Sequence, residues 1–375
     1  MGDNKQILIY VLGFVWILFA SDYFAKFFKK IRLPLITGFL VTGIICGPHL
    51  LNLIEAEALE NLGFVNDISL AFIAFAAGAE LHLKDIRSRI KSIVWNTVGQ
   101  LVATFIVSSV AVYFLAEFIP FMREMSTGGK IAVSILAATI FIARSPSTLI
   151  AVISEMRAKG PFTQTAMGVT VIIDVLVIVI FTICFSIAVT IVSGIAFNLS
   201  SVGILIIELA LAVGIGYILG KLISLILSLP VRLLVKTILM LTVGYGTFLL
   251  SPYLREISHE YLQFEIHIEP LLICIIASFS VTNYSKYRAE FRKILHDTGP
   301  MVYVAFFTLI GAMLSIDILA KVWIIALILF GVRILAMIIG AYTGSVMAKD
   351  PAIYKRIGWM PYVTQAGVSL GLATQ

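Results

Sequence analysis

Apolar residues run along this chain in long blocks, separated by short clusters of lysine, arginine, glutamate, glycine and proline. Stretches such as Val202 to Leu227 are apolar on every helical face, where a strand would alternate. The longer blocks, among them those that hold Arg144 and Asp174, are long enough to cross a hydrocarbon core about 30 Å thick. The pattern predicts spans at about Ile7–Phe28, Pro34–His49, Asn66–Leu83, Ile93–Ile119, Lys130–Met156, Pro161–Ser193, Val202–Leu227, Leu233–Leu250, Pro270–Asn283, Met301–Ile316 and Val322–Met347. A twelfth begins near Trp359 and the chain stops inside it, which reads as C-terminal truncation. Two polar intervals are read as lying outside the spans, an acidic external segment from Pro252 to Glu269 and a basic amphipathic linker from Lys286 to Asp297.

Composition agrees with an all-α polytopic membrane protein: 60% hydrophobic residues, 13% charged and a mean hydropathy of +1.04. A membrane barrel is excluded because its strands alternate apolar and polar residues. The net charge of +6 does not point to nucleic acid, since the basic residues sit in short loops. Of the 27 lysines and arginines, twenty fall in alternate loops and adjoining helix ends. The other side holds Lys5, Arg123, Lys130, Arg255 and Lys321, so the N-terminus is expected outside, with the plasma or inner membrane as the setting. Cys46, Cys184 and Cys274 lie in apolar surroundings without metal-ligand spacing. No phosphate-binding G-x-x-x-x-G-K-[ST] loop is present, which disfavours an ATP-driven pump, and no cofactor is expected.

Against this background three buried charges stand out. With about 1.5 Å of rise per residue, Asp174 lies roughly 20 Å along its helix from Pro161, near mid-membrane. Arg144 and Arg333 reach comparable depth, and an ionisable group there marks a functional site by default. Arg144 opens the run Arg144-Ser145-Pro146-Ser147-Thr148, where a proline and hydroxyls in mid-span predict a broken helix. Thr364-Gln365-Ala366-Gly367 is the expected crossing partner, and two broken helices crossing would leave backbone dipoles around an ion site. Asp174 can bind a cation or a proton but not both, which is the logic of antiport. Ser145 and Thr148 would supply further oxygens for a hard cation. Arg144 is expected to offset half-helix dipoles, and Arg333 to form an interhelical ion pair or gate.

These residues resemble the monovalent cation:proton antiporter superfamily, the sodium/proton exchanger fold. The resemblance rests on Gly78-Ala79-Glu80-Leu81, Ala143 to Thr148, Asp174, Arg333 and Gln365-Ala366-Gly367-Val368, in that order along most of the chain. It implies an inverted-repeat fold of thirteen helices with discontinuous crossing helices and a homodimer working by an elevator-type motion. It also implies a core (about 91–195 and 320–375), a dimerisation scaffold (about 6–83 and 228–316), a linker helix (about 202–227), and room for a cytoplasmic regulatory domain past residue 375. Three positions depart from the family pattern. Ile173 stands where Asn, Asp or Gln usually precedes the aspartate. Arg144-Ser145-Pro146 replaces Thr-Asp-Pro, and Gln365 occupies a position where some members carry arginine. The positive charge has changed helices.

The expected function is therefore electroneutral exchange of Na⁺ or K⁺ for H⁺ across a bilayer. One rival is an anion or organic-solute transporter on the same fold using Arg144. Another is a non-transporting sensor or assembly module in which Asp174 is locked in an ion pair.

Overall fold

The computed structural model describes residues 2–30, 33–81, 83–119, 121–193, 199–262, 266 and 268–365. Among them are fourteen α-helices and no strand. In chain order they are α1 (Gly2–Lys30), α2 (Leu35–Cys46), α3 (Ala56–Asn61), α4 (Gly63–Glu80), α5 (Leu83–Leu115), α6 (Thr127–Ile142) and α7 (Pro146–Met156). Then follow α8 (Pro161–Ser193), α9 (Leu199–Ser228), α10 (Leu233–Leu262), α11 (Pro270–Tyr284), α12 (Arg288–Ala312), α13 (Ile316–Ala348) and α14 (Ala352–Ile357). Eight are long and apolar enough to cross a membrane, and α2, α6 and α11 are shorter apolar helices.

Helices stand at all eleven of the expected full spans; several run longer than expected, whereas α2, α4 and α12 end earlier, at Cys46, Glu80 and Ala312. α10 continues through Pro252 to Leu262, into the interval expected to lie outside the spans. The basic linker forms the first turns of α12, and the basic residues after Leu83 begin α5. Hydropathy registers only the lipid-facing part of a helix, whereas Lys, Arg and Glu extend it readily where water or headgroups begin. The fifth expected span is two helices, α6 and α7, separated by Ala143–Ser145. The twelfth is represented by its approach, α14 followed by a 3-10 turn at Met360–Tyr362 and non-helical residues 363–365. Ala366, Gly367 and Val368 lie outside the described residues.

The chain divides into two compact units. One comprises Met1–Ala79, Ile150–Ala158 and Ala212–Lys321. Within it α2 packs on α1 and α12, so closely that a side chain at Gly43 would collide with the Thr308 carbonyl and one at Gly311 with the Leu40 carbonyl. Small residues are the usual means of such approach between membrane helices. Ser21 and Thr308 hydroxyls bond at 2.7 Å across α1 and α12. The first backbone N–H of α2, at Leu35, donates to the Glu155 carboxylate, 3.0 Å to Oε2. A carboxylate at a helix start satisfies an orphan donor and favours the dipole.

The second unit comprises Glu80–Leu149, Lys159–Leu211 and Val322–Gln375. Here α6 packs against α5 and α8, and α5 against α8. α5 and α13 meet through Gly99, Gly340 and Gly344, where an added Cβ would strike the facing backbone. One end of that pair is tied by polar groups: the buried Asp350 carboxylate accepts from Ser92 Oγ (2.5 Å) and Asn96 Nδ2 (3.0 Å). All the candidate site residues among those described belong to this unit.

Candidate functional site

The site is built at the break in the α6–α7 helix. α6 stops at Ile142, and Ala143 takes extended angles (φ −55°, ψ 138°). α7 restarts in a manner the local sequence dictates. Ser145 Oγ accepts from the Thr148 N–H at 3.2 Å, the geometry of an N-cap, and Pro146 follows as the first helical residue, where its missing N–H costs nothing. The Ser145 and Thr148 hydroxyls lie 2.9 Å apart.

The non-helical residues 363–365 meet this break directly. The Ser145 N–H donates to the Thr364 carbonyl at 3.2 Å, and Gln365 Nε2 donates to the Ile140 carbonyl at 2.7 Å. The Thr364 hydroxyl is buried and has no hydrogen-bond partner among the described residues.

Breaking a helix in a membrane interior leaves carbonyls that must be satisfied within the protein. Here side chains do it. Arg333 Nε donates to the Phe141 carbonyl (3.2 Å), Nη1 to Val363 (2.6 Å), and Nη2 to Ala143 (3.1 Å) and Tyr362 (3.5 Å). Arg144 Nη1 donates to the same Phe141 carbonyl (2.9 Å), while Nη2 donates to Gln100 Oε1 (3.1 Å) and Thr104 Oγ1 (3.2 Å). Both guanidiniums are almost fully buried, at 1% and 3% exposed. Their charge opposes the partial negative charge at the C-terminal end of α6. Among the described residues, none of these hydrogen bonds ends on a carboxylate. The hydroxyls of the break face the N–H end of α7, and the carbonyl end is served by Arg144, Arg333 and Gln365.

Asp174 sits near the middle of α8, buried at 6% exposed, with Ile173 beside it fully buried. One turn earlier on the same face is Thr170, whose buried hydroxyl has no hydrogen-bond partner among the described residues. The site residues thus fall into an ordered crossing (Arg144, Ser145, Pro146, Thr148, Thr364, Gln365, Arg333) and an acidic helix packed beside α6. Gly367 lies outside the described residues.

A sodium/hydrogen exchanger, transmembrane, family profile matches residues 15–375. The chain belongs to the sodium/hydrogen exchanger family. Among curated proteins, this family member is similar to "Probable Na(+)/H(+) antiporter 3" of Methanocaldococcus jannaschii, 22% identical over 187 residues. That match takes in 50% of this chain and 43% of the relative, so it spans less than half the length of the curated relative. Its fold is that of the sodium proton antiporter MjNhaP1 from the same organism. The structure of that antiporter at pH 8 aligns with a TM-score of 0.71 at 19% identity, over 98% of this chain and 85% of that one. Its electron-microscopy structure aligns at 0.74 and 20% identity, over 98% and 84%. The exchanger family is one of transporters.

Several residues of the site carry no signal in hydropathy. Gln100 and Thr104 hold Arg144, Tyr362 lends its carbonyl to Arg333, and Thr170 shares a face with Asp174. A pattern was nonetheless present: Ser92, Asn96, Gln100, Thr104 and Ser108 recur every four residues along α5, and all five are buried.

Proposed function

We propose that this protein exchanges a monovalent cation, Na⁺ or K⁺, for protons by alternating access, one for one and without net charge movement. The observation that carries the reading is the interrupted α6–α7 helix, crossed by residues 363–365 within the same compact unit as the buried Asp174. Asp174 is the shared site, charged when it holds the cation and neutral when it holds the proton. Ser145 and Thr148 contribute oxygens to the cation, and Arg144 tunes the site through its charge. Arg333 fastens the crossing by its four carbonyl bonds.

Further parts of the reading rest on sequence and fold together. The unit with the crossing serves as the transport core and the other unit as the scaffold of a homodimer, with the N-terminus outside. A single titratable carboxylate at the site supports one-for-one stoichiometry.

The test is Na⁺- or K⁺-driven proton movement in proteoliposomes. Asp174→Asn keeps the side-chain volume and removes the titratable group, and it is expected to reduce proton movement to the level of empty liposomes while thermal unfolding in detergent stays unchanged. Full activity in that variant overturns the assignment of Asp174.

One observation favours a second reading. Arg144 Nε is buried without a hydrogen-bond partner among the described residues, a donor suited to an anion. Chloride-dependent proton movement that survives removal of Na⁺ and K⁺, and is lost in Arg144→Gln, would select that reading over cation exchange.

A further inference from the structure

The hydrogen bonds around Arg144 differ in kind from those around Arg333. Among the described residues the hydrogen bonds of Arg333 all go to backbone carbonyls, whereas the outer amino group of Arg144 is held by two side chains of α5, Gln100 and Thr104. Both are buried at 0% exposed. The Gln100 amide has no freedom of orientation. Its Nε2 donates to the Met337 carbonyl of α13 at 3.1 Å, and that carbonyl can only accept. Its Oε1 faces a guanidinium that can only donate. The close approach of α5 and α13 at Gly99 and Gly340 puts Gln100 within reach of Met337, because a Cβ at Gly340 would lie 2.7 Å from the Gln100 Cα.

Both side chains are neutral, and that is the informative point. A buried arginine is most simply satisfied by a carboxylate, which would also cancel its charge. Gln and Thr supply acceptor oxygens and leave the charge in place. We propose that Gln100, assisted by Thr104, is a positioning residue that fixes the Arg144 guanidinium at the crossing while leaving its positive charge uncancelled. The inference deepens the exchange reading, on which its transport consequence rests: Arg144 can bias Asp174 toward the ionised form only if it is both fixed and charged. Arg333 from α13 and the Tyr362 phenol from the turn before the crossing also act on Arg144. Neither is a carboxylate, and the side chains that α5 presents to Arg144 are neutral.

The decisive variant is Gln100→Glu, which keeps the length of the side chain and adds the missing negative charge. In proteoliposomes driven by Na⁺ or K⁺ gradients, the pH of half-maximal proton movement is expected to rise by roughly one unit, because a carboxylate in a weaker positive field keeps its proton to higher pH. Thr104→Val is expected to lower the rate, and Thr104→Ser, which restores the hydroxyl, to return it. If Gln100 acts through Arg144, adding Gln100→Glu to Arg144→Gln produces no further shift. An unchanged profile in Gln100→Glu, or the same shift with and without Arg144, overturns the proposal. If the unmodified protein moves no protons with either cation, the exchange reading fails by itself. The positioning role is then read from thermal unfolding in detergent. Non-additive losses in Gln100→Ala, Arg144→Gln and their double variant uphold it, and additive losses overturn it.

Discussion

The contact of α2 with α12 and the crossing of α6–α7 by residues 363–365 both bring main chain against main chain, by opposite means. At Gly43 and Gly311 the helices remain intact, each carbonyl keeps its own helical partner, and the absence of side chains lets two ladders touch. At the crossing the ladder is cut, and its exposed carbonyls are served by three long polar side chains, Arg144, Arg333 and Gln365. The first contact is stabilised by packing over a broad surface and carries no charge. The second concentrates charge and backbone dipoles in a small volume, which an ion-handling site requires and a scaffold does not. A close contact made by glycine should be sensitive to added volume, and one made by arginine to lost donors.

The largest effect is expected at Arg333. Replacing it by Met removes the donors for Phe141, Ala143, Tyr362 and Val363 carbonyls at once and should cost about 3–5 kcal/mol. It would be measured as loss of thermal stability in detergent, with Arg333→Lys recovering only part, since an ammonium cannot span the same fork of acceptors. Next is Gly43→Leu, whose side chain must displace the α12 backbone at Thr308; overpacking of this kind costs about 1–3 kcal/mol. In that variant the pH profile of proton movement per folded molecule should be unchanged. A profile altered by Gly43→Leu, or a stability indifferent to Arg333→Met, would break the distinction between the two contacts. The smallest effect belongs to Ser145→Ala, which removes the N-cap of α7 at about 1 kcal/mol. It should also lower the apparent affinity for Na⁺ or K⁺ if the same hydroxyl is a cation ligand. A loss of stability alone would confine Ser145 to capping.

Much of this was legible before any coordinates. Gly43 and Gly47 stand four residues apart in an apolar span, a spacing that suits close helix packing, and both face residues of α12. The Arg144-Ser145-Pro146 run announced a break, because a proline and hydroxyls in an apolar span have few other uses. The local sequence also contained the restart of α7, with a serine before a proline and a threonine three positions after the serine, although that capping pattern was masked by the more obvious reading of proline as a disruptor. The helix ends were less legible. α10 runs on to Leu262 through Pro252 and past Arg255, Glu256 and Glu260, since a change of solvent alters which residues are apolar without ending the hydrogen-bond ladder.

What the sequence determined alone was which segments are apolar and where along them each charge stands. Hydropathy follows from the cost of putting polar groups in hydrocarbon, and distance along a helix follows from a constant rise per residue, so neither needs a partner to be known. The tertiary structure decided which groups meet. Arg144 reaches Gln100 and Thr104, 44 and 40 residues away, and Arg333 reaches Ala143 across 190. Those pairings depend on which helix faces which, and at what rotation, within a unit assembled from three separate stretches of chain. Hydrogen bonds are satisfied over about 3 Å, far shorter than the spacing that any one-dimensional pattern resolves. The sequence could therefore place two arginines inside apolar spans, but only the fold could give one of them to the backbone and the other to a glutamine.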